Sequence, residues 1–220
     1  LFTKMFSKYF RPETISRITK TFGPLEVLQQ CKTLIPTIVY SPEKDNYENL
    51  FMIRMTNETP QFKEDWFHYH FLRAFFRCSI LTGKCIRDEE KDRGGITYDF
   101  RNHTDLEEFW YYGTKLSRDL TRPQRPFLIL TKNVDKNELM NFRFYKHKYA
   151  KLMITLTSQL RNELKRQDPV FMNFIEERGI EFLDLEFNDL VEAGNYLLEK
   201  RGMENVLLET GITIYADNLS

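Results

Sequence analysis

The stretch NVDKNELMNFRFYKHKYAKLMITLTSQLRNELKRQ, residues 133–167, decides how the chain is read. Phe142, Tyr145, Tyr149, Leu152, Leu156, Leu160 and Leu164 recur every three or four residues, the spacing that stacks side chains on one face of an α-helix. Neither proline nor glycine interrupts the run, and Asn133 or Asp135 is placed to cap its start by accepting from the first unpaired amide groups. The pattern predicts one helix over 135–167. About 30 helical residues span about 45 Å, so other elements are expected to pack along it.

Working outward, Gln61 to Leu81 carries Phe62, Trp66, Phe67, Tyr69, Phe71, Leu72, Phe75, Phe76 and Ile80, too apolar for a solvent-washed helix, and predicts a second, central one. Pro12 opens a shorter helix over Glu13 to Thr21 that stops at Gly23-Pro24, and Leu25 to Lys32 comes after it. Ser41-Pro42 starts a helix through Met55, and Thr104 to Glu107 has capping-box spacing ahead of Phe109. Gly83 to Gly95 is dense in charge and ends in two glycines, which reads as a loop. Asp168-Pro169 caps a helix ending near Gly179, and Asn188 or Asp189 starts another that stops at Gly202. Short apolar runs at Phe127, Val206 and Ile212 read as strands. The expected fold is therefore mainly α, an irregular multi-helix domain with a minor short-stranded sheet, and α+β is the alternative. Residues 1–220 read as a single helical domain. The stiff connector 122–126, Arg-Pro-Gln-Arg-Pro, marks an alternative subdivision into 1–121 and 127–220.

With 41% hydrophobic and 29% charged residues, 19 Phe and 11 Tyr, the chain has the material of a folded core rather than of a disordered segment. Net charge is zero, but residues 111–168 hold 13 Lys or Arg against 5 Asp or Glu, while 169–220 hold 3 against 11. Two such regions either attract separate partners or pair with each other inside one fold. Three cysteines, Cys31, Cys78 and Cys85, do not make a disulfide framework and point to a reducing, intracellular compartment, cytoplasm or nucleus. No run of 18 apolar residues suits a membrane span.

Patterns that carry chemistry are sparse. None of the nine glycines falls in GxGxxG or GxxxxGK[ST]; Leu81-Thr82-Gly83-Lys84 keeps only a fragment of a phosphate loop and reads as a turn. His68 and His70 are two apart and would point to opposite sides of a helix, and Cys78 with Cys85 lacks zinc spacing. Glu181, Asp184, Glu186 and Asp189 are close in sequence and are the candidates for a catalytic Mg²⁺ or Mn²⁺ cradle acting on phosphodiesters. Arg143, Lys146, His147, Lys148 and Lys151 are the candidates for gripping RNA or single-stranded DNA; on one helix Arg143, His147 and Lys151 would align. Trp110, Tyr111 and Tyr112 are the candidates for protein contacts. Taken together, the sequence favours a noncatalytic interaction or scaffold module of an intracellular assembly, with no cofactor and a protein as partner. The alternative is a nucleic-acid-binding protein, including a divalent-metal-dependent nuclease.

Overall fold

The computed structural model describes residues 10–34, 60–93, 125–147 and 150–209. They build a six-stranded sheet, not a helical bundle. The strands are β1 (Thr33–Leu34), β2 (Cys78–Thr82), β3 (Arg125–Leu130), β4 (Ala150–Thr155), β5 (Glu181–Leu183) and β6 (Val206–Glu209). Their order is β1-β6-β2-β3-β4-β5, and every pairing is parallel. The helices are α1 (Pro12–Phe22), α2 (Leu25–Gln30), α3 (Pro60–Phe75), α4 (Gly83–Arg93), α5 (Lys136–Asn141), α6 (Arg143–Lys146), α7 (Ser158–Arg166), α8 (Pro169–Arg178) and α9 (Leu190–Asn195), the last continuing as a π-helical turn over Tyr196–Lys200. This α/β arrangement overturns the mainly helical fold and the minor sheet expected from sequence.

The correction is sharpest in 133–167. Asp135 does cap a helix, accepting from Glu138 N at 2.8 Å, but α5 ends at Asn141 and Phe142 is extended at φ −70°, ψ 137°. The chain then forms the short α6, β4 and α7 in turn, so the long helix is four elements. The physical reason lies in Leu152, Ile154 and Leu156. A spacing of four keeps residues on one face of a helix, and it also keeps them on one face of a strand, where the period is two. The apolar run at 61–81 divides for a related reason. The helix stops at Phe75, and all five residues of β2 are buried, so a strand covered on both faces extends the hydrophobic run without a break. Gly83 to Arg93, expected as a loop, is helix α4, whose Ile86 is buried.

Register sorts the sheet into two faces. Ser79, Phe127 and Leu152 lie side by side, as do Leu81, Ile129 and Ile154. On this face Leu81, Phe127, Ile129, Leu152 and Ile154 meet Ile86, Leu139, Phe144, Tyr145, Leu160 and Phe171 from α4 to α8. Leu207 of β6 continues the same face beneath Ile18 of α1, Leu28 of α2 and Phe71 and Phe75 of α3. The opposite face, with Cys78, Ile80, Leu128, Met153, Leu183, Val206 and Leu208, is covered by Leu190, Ala193 and Leu197. The chain moves along the sheet from β2 to β5 over one face and returns to β6 over the other. Reversing direction and face together keeps the crossovers of one hand, as parallel sheets require.

Polar groups lock the layers. Arg178 donates from Nε to the Tyr145 carbonyl at 2.9 Å and from Nη2 to the carbonyls of His147 and Ala150 at 2.6 and 3.2 Å, tying the end of α8 to the entry into β4. Arg73 of α3 donates to Glu209 of β6 from Nε at 2.9 Å and Nη2 at 2.6 Å, and the Glu209 side chain is fully buried. Residues 122–124 of the expected connector lie outside the described residues; Arg125 and Pro126 belong to β3, which pairs with β2 from the other side of it. No described helix is long and apolar enough to cross a membrane.

Candidate binding site at the carboxyl edge of the sheet

Because the strands are parallel, their carboxyl ends converge on one edge, where the adjoining loops can surround a ligand. Threonines recur along this edge. β2 ends at Thr82 and runs into Gly83 and Lys84; β3 is followed by Thr131; β4 ends at Thr155 and is followed by Thr157; β5 is followed by Asp184.

The hydroxyls hold these loops against one another. Thr155 Oγ1 accepts from Thr131 N at 2.8 Å, and its proton reaches the carbonyls of Thr131 and Ile129 at 3.1 and 3.3 Å. Thr131 Oγ1 accepts from Asn133 N and Val134 N at 3.3 and 3.2 Å. Thr157 Oγ1 caps α7 by accepting from Leu160 N at 3.0 Å and donates to the Val134 carbonyl at 3.2 Å. Thr82 Oγ1 accepts from Cys85 N at 3.2 Å in the first turn of α4. Gly83 is required by proximity: a β-carbon there would stand 2.7 Å from Thr131 Oγ1.

Ion pairs brace the rim. Arg87 of α4 reaches Glu138 Oε2 at 3.1 Å and Asn133 Oδ1 at 2.9 Å, and Lys136 of α5 pairs with Asp168, the cap of α8. That lysine, with the Val170 amide, holds the Asp168 carboxyl below its ordinary pKa. Lys84 is exposed and bound to Asp88 at 2.7 Å. The hydroxyls and ion pairs thus fix the loops of this edge against one another.

Between β4 and β5 the chain parts. After β4 it enters α7, on the face of Leu160; after β5 it enters α9, on the face of Leu190. In an open parallel sheet such a divergence leaves a crevice outside the strand ends, the place where ligands bind. Leu156 N donates to the Leu183 carbonyl at 2.8 Å as the last link of the ladder. Just past it Arg161 grips Asp184 with both terminal nitrogens, Nη1 to Oδ2 at 2.8 Å and Nη2 to Oδ1. The guanidinium holds the Asp184 carboxyl below its usual pKa.

The residues singled out by sequence lie elsewhere or apart. Glu181 begins β5, at the amino edge, with Arg201 donating to both carboxylate oxygens at 2.7 Å. That arginine, helped by Lys151, lowers the Glu181 pKa. Asp184 is three residues on, about 10 Å along an extended strand. Glu186 is exposed in the loop, and Asp189 caps α9 by accepting from Glu192 N at 2.8 Å. Among the described residues no group of three His, Cys, Asp or Glu side chains could hold a metal ion. Arg143 and Lys146 are exposed on α6 and His147 is half-buried after it, whereas Lys151 projects from β4. The helical alignment of Arg143, His147 and Lys151 is therefore not formed. Lys148 and the aromatic candidates Trp110, Tyr111 and Tyr112 lie outside the described residues.

Sequence reasoning missed Thr131, Thr155, Thr157 and Arg161. The signal for the threonines is faint, a small hydroxyl residue at or just after the end of a short apolar run, repeated at three strands; Arg161 has none. No family model matches the chain, and no curated protein matches it either.

Proposed function

We propose that this chain is a ligand-binding α/β domain that takes a small polar metabolite at the carboxyl edge of its sheet, around the loops after β2, β3, β4 and β5. One observation carries this reading: a wholly parallel sheet brings its strand ends to one edge, and the chain diverges to opposite faces between β4 and β5. The interlocked threonines and the Gly83 contact supply the rigid frame that a selective pocket needs.

The interaction-module reading from sequence stands as the alternative, resting on the lack of an active-site pattern and the opposed charge regions, with Trp110, Tyr111 and Tyr112 as its candidate contacts. The nucleic-acid reading rests on Arg143, Lys146, His147, Lys148 and Lys151. A thermal-shift panel of nucleotides, sugar phosphates, carboxylic acids and single-stranded oligonucleotides separates the small-molecule reading from the nucleic-acid one, with amide hydrogen exchange to map each hit. The carboxyl-edge reading expects a small molecule to raise Tm and protect residues 82–84, 131–134, 155–161 and 183–185. Protection confined to 143–151 by oligonucleotide, or no small-molecule shift at all, overturns it.

A further inference from the structure

We propose that Arg161 is the anion-recognising side chain of this edge, and that a phosphate-bearing small molecule docks there by taking the place of the Asp184 carboxylate. The inference rests on the carboxyl-edge reading and names its ligand chemistry. Arg161 lies in the first turn of α7 and Asp184 directly follows β5, so their pair spans the point where the two chain paths separate. Nη1 and Nη2 each meet one oxygen of the same carboxylate. This is the fork geometry that a phosphate presents equally well.

Both side chains reach solvent, 43% exposed for Arg161 and 67% for Asp184, so exchanging one anion for another disturbs no core packing. An exposed pair contributes little to stability, and Asp184 makes a weak competitor. A ligand carboxylate would bring the same single charge that Asp184 already supplies. A phosphate monoester carries about −1.5 to −2 at neutral pH and three acceptor oxygens, enough to displace it.

The test titrates the full chain with inorganic phosphate, and with acetate as the monocarboxylate arm, at constant ionic strength, monitoring backbone amide resonances of 156–161 and 183–185. Phosphate is expected to shift these amides more strongly than acetate. Asp184→Asn should tighten phosphate binding about two- to fivefold by removing the internal competitor, and Arg161→Gln should abolish the shifts. Both residues are solvent-accessible, and circular dichroism verifies that the variants fold. Unchanged phosphate binding in Arg161→Gln, no gain in Asp184→Asn, or no titration of wild type and Asp184→Asn alike, overturns the assignment. If panel ligands still protect the carboxyl edge in Arg161→Gln, the role of Arg161 falls and the edge reading survives; if nothing protects that edge, both fall.

Discussion

Replacing Gly83 by alanine sets three effects against one another. A β-carbon at this position would lie 2.7 Å from Thr131 Oγ1, 3.0 Å from Thr131 Cβ and 3.3 Å from Val134 Cγ2. Thr131 is β-branched and stiff, and its oxygen holds the amides of Asn133 and Val134. It cannot swing aside without releasing them. Overpacking costs about 1–3 kcal/mol, and each released hydrogen bond adds about 1 kcal/mol. Alanine repays at most about 1 kcal/mol through helix propensity and a less flexible unfolded chain. The clash wins, and Gly83→Ala is expected to destabilise the protein by about 2–4 kcal/mol. Urea denaturation monitored by circular dichroism measures this, and Tm should fall by about 2–4 °C per kcal/mol for a chain of this size. The same substitution in a Thr131→Ala background should cost less, because the oxygen in the way is gone. If Gly83→Ala is neutral or stabilising in the wild-type background, the loops after β2 and β3 are not pressed together as described.

Three further residues give expected outcomes. The Tyr145 side chain is fully buried, and among the described residues its hydroxyl meets no hydrogen-bond partner; Tyr145→Phe should therefore be neutral or stabilising by about 1 kcal/mol in urea melts, and a clear loss would reveal a partner. Burial also pushes the Tyr145 pKa upward, so its stabilising contribution is complete below pH about 10 and declines as pH rises through the folded-state value; Tyr145→Phe should flatten the alkaline limb of the stability profile. Arg73→Met removes the guanidinium that meets the buried Glu209 carboxylate and should cost about 3–5 kcal/mol, a figure that a near-neutral urea midpoint would refute. The Glu181 carboxyl is held below its usual pKa by Arg201, so its contribution is present above pH about 4 and lost as pH falls through the folded value; Glu181→Gln should make stability less sensitive to acid between pH 5 and about 2, and an unchanged acid slope would refute the pairing.

Local signals in the sequence were legible where one or two residues determine the backbone. Asp168-Pro169 starts α8 and Gly179 ends it in the left-handed conformation at φ 59°. Asp189 caps α9, and Pro12 with Gly23 bounds α1. The apolar runs at Phe127 and Val206 are β3 and β6. Parallel pairing was not legible, because it depends on register between segments tens of residues apart, such as Ile80 with Leu128 and Leu208. β2 and β4 hid inside longer apolar patterns, and both are interior strands with a neighbour on each side. Without them the sheet looked peripheral, and the shared carboxyl edge could not be seen. The site depended on the fold: Thr131, Thr155 and Thr157 become neighbours only once β3 and β4 lie side by side. Charged clusters close in sequence drew attention instead, yet Glu181 and Asp184 sit toward opposite ends of one strand and answer to different arginines.

The place of β6 also governs how a nascent chain can close. Val206–Glu209 inserts between β1 and β2, strands that left the ribosome far earlier. Until this segment emerges, among the described strands β2 has only β3 beside it and β1 has no partner, so that edge of β2 waits while more than a hundred residues are made, from Thr82 to Val206. The last-made of the described strands is the keystone. A chain halted just before Val206 would hold β2 to β5 as a sheet and leave β1 without a strand partner among the described residues, and a holdase that recognises extended apolar segments would meet its target at β2.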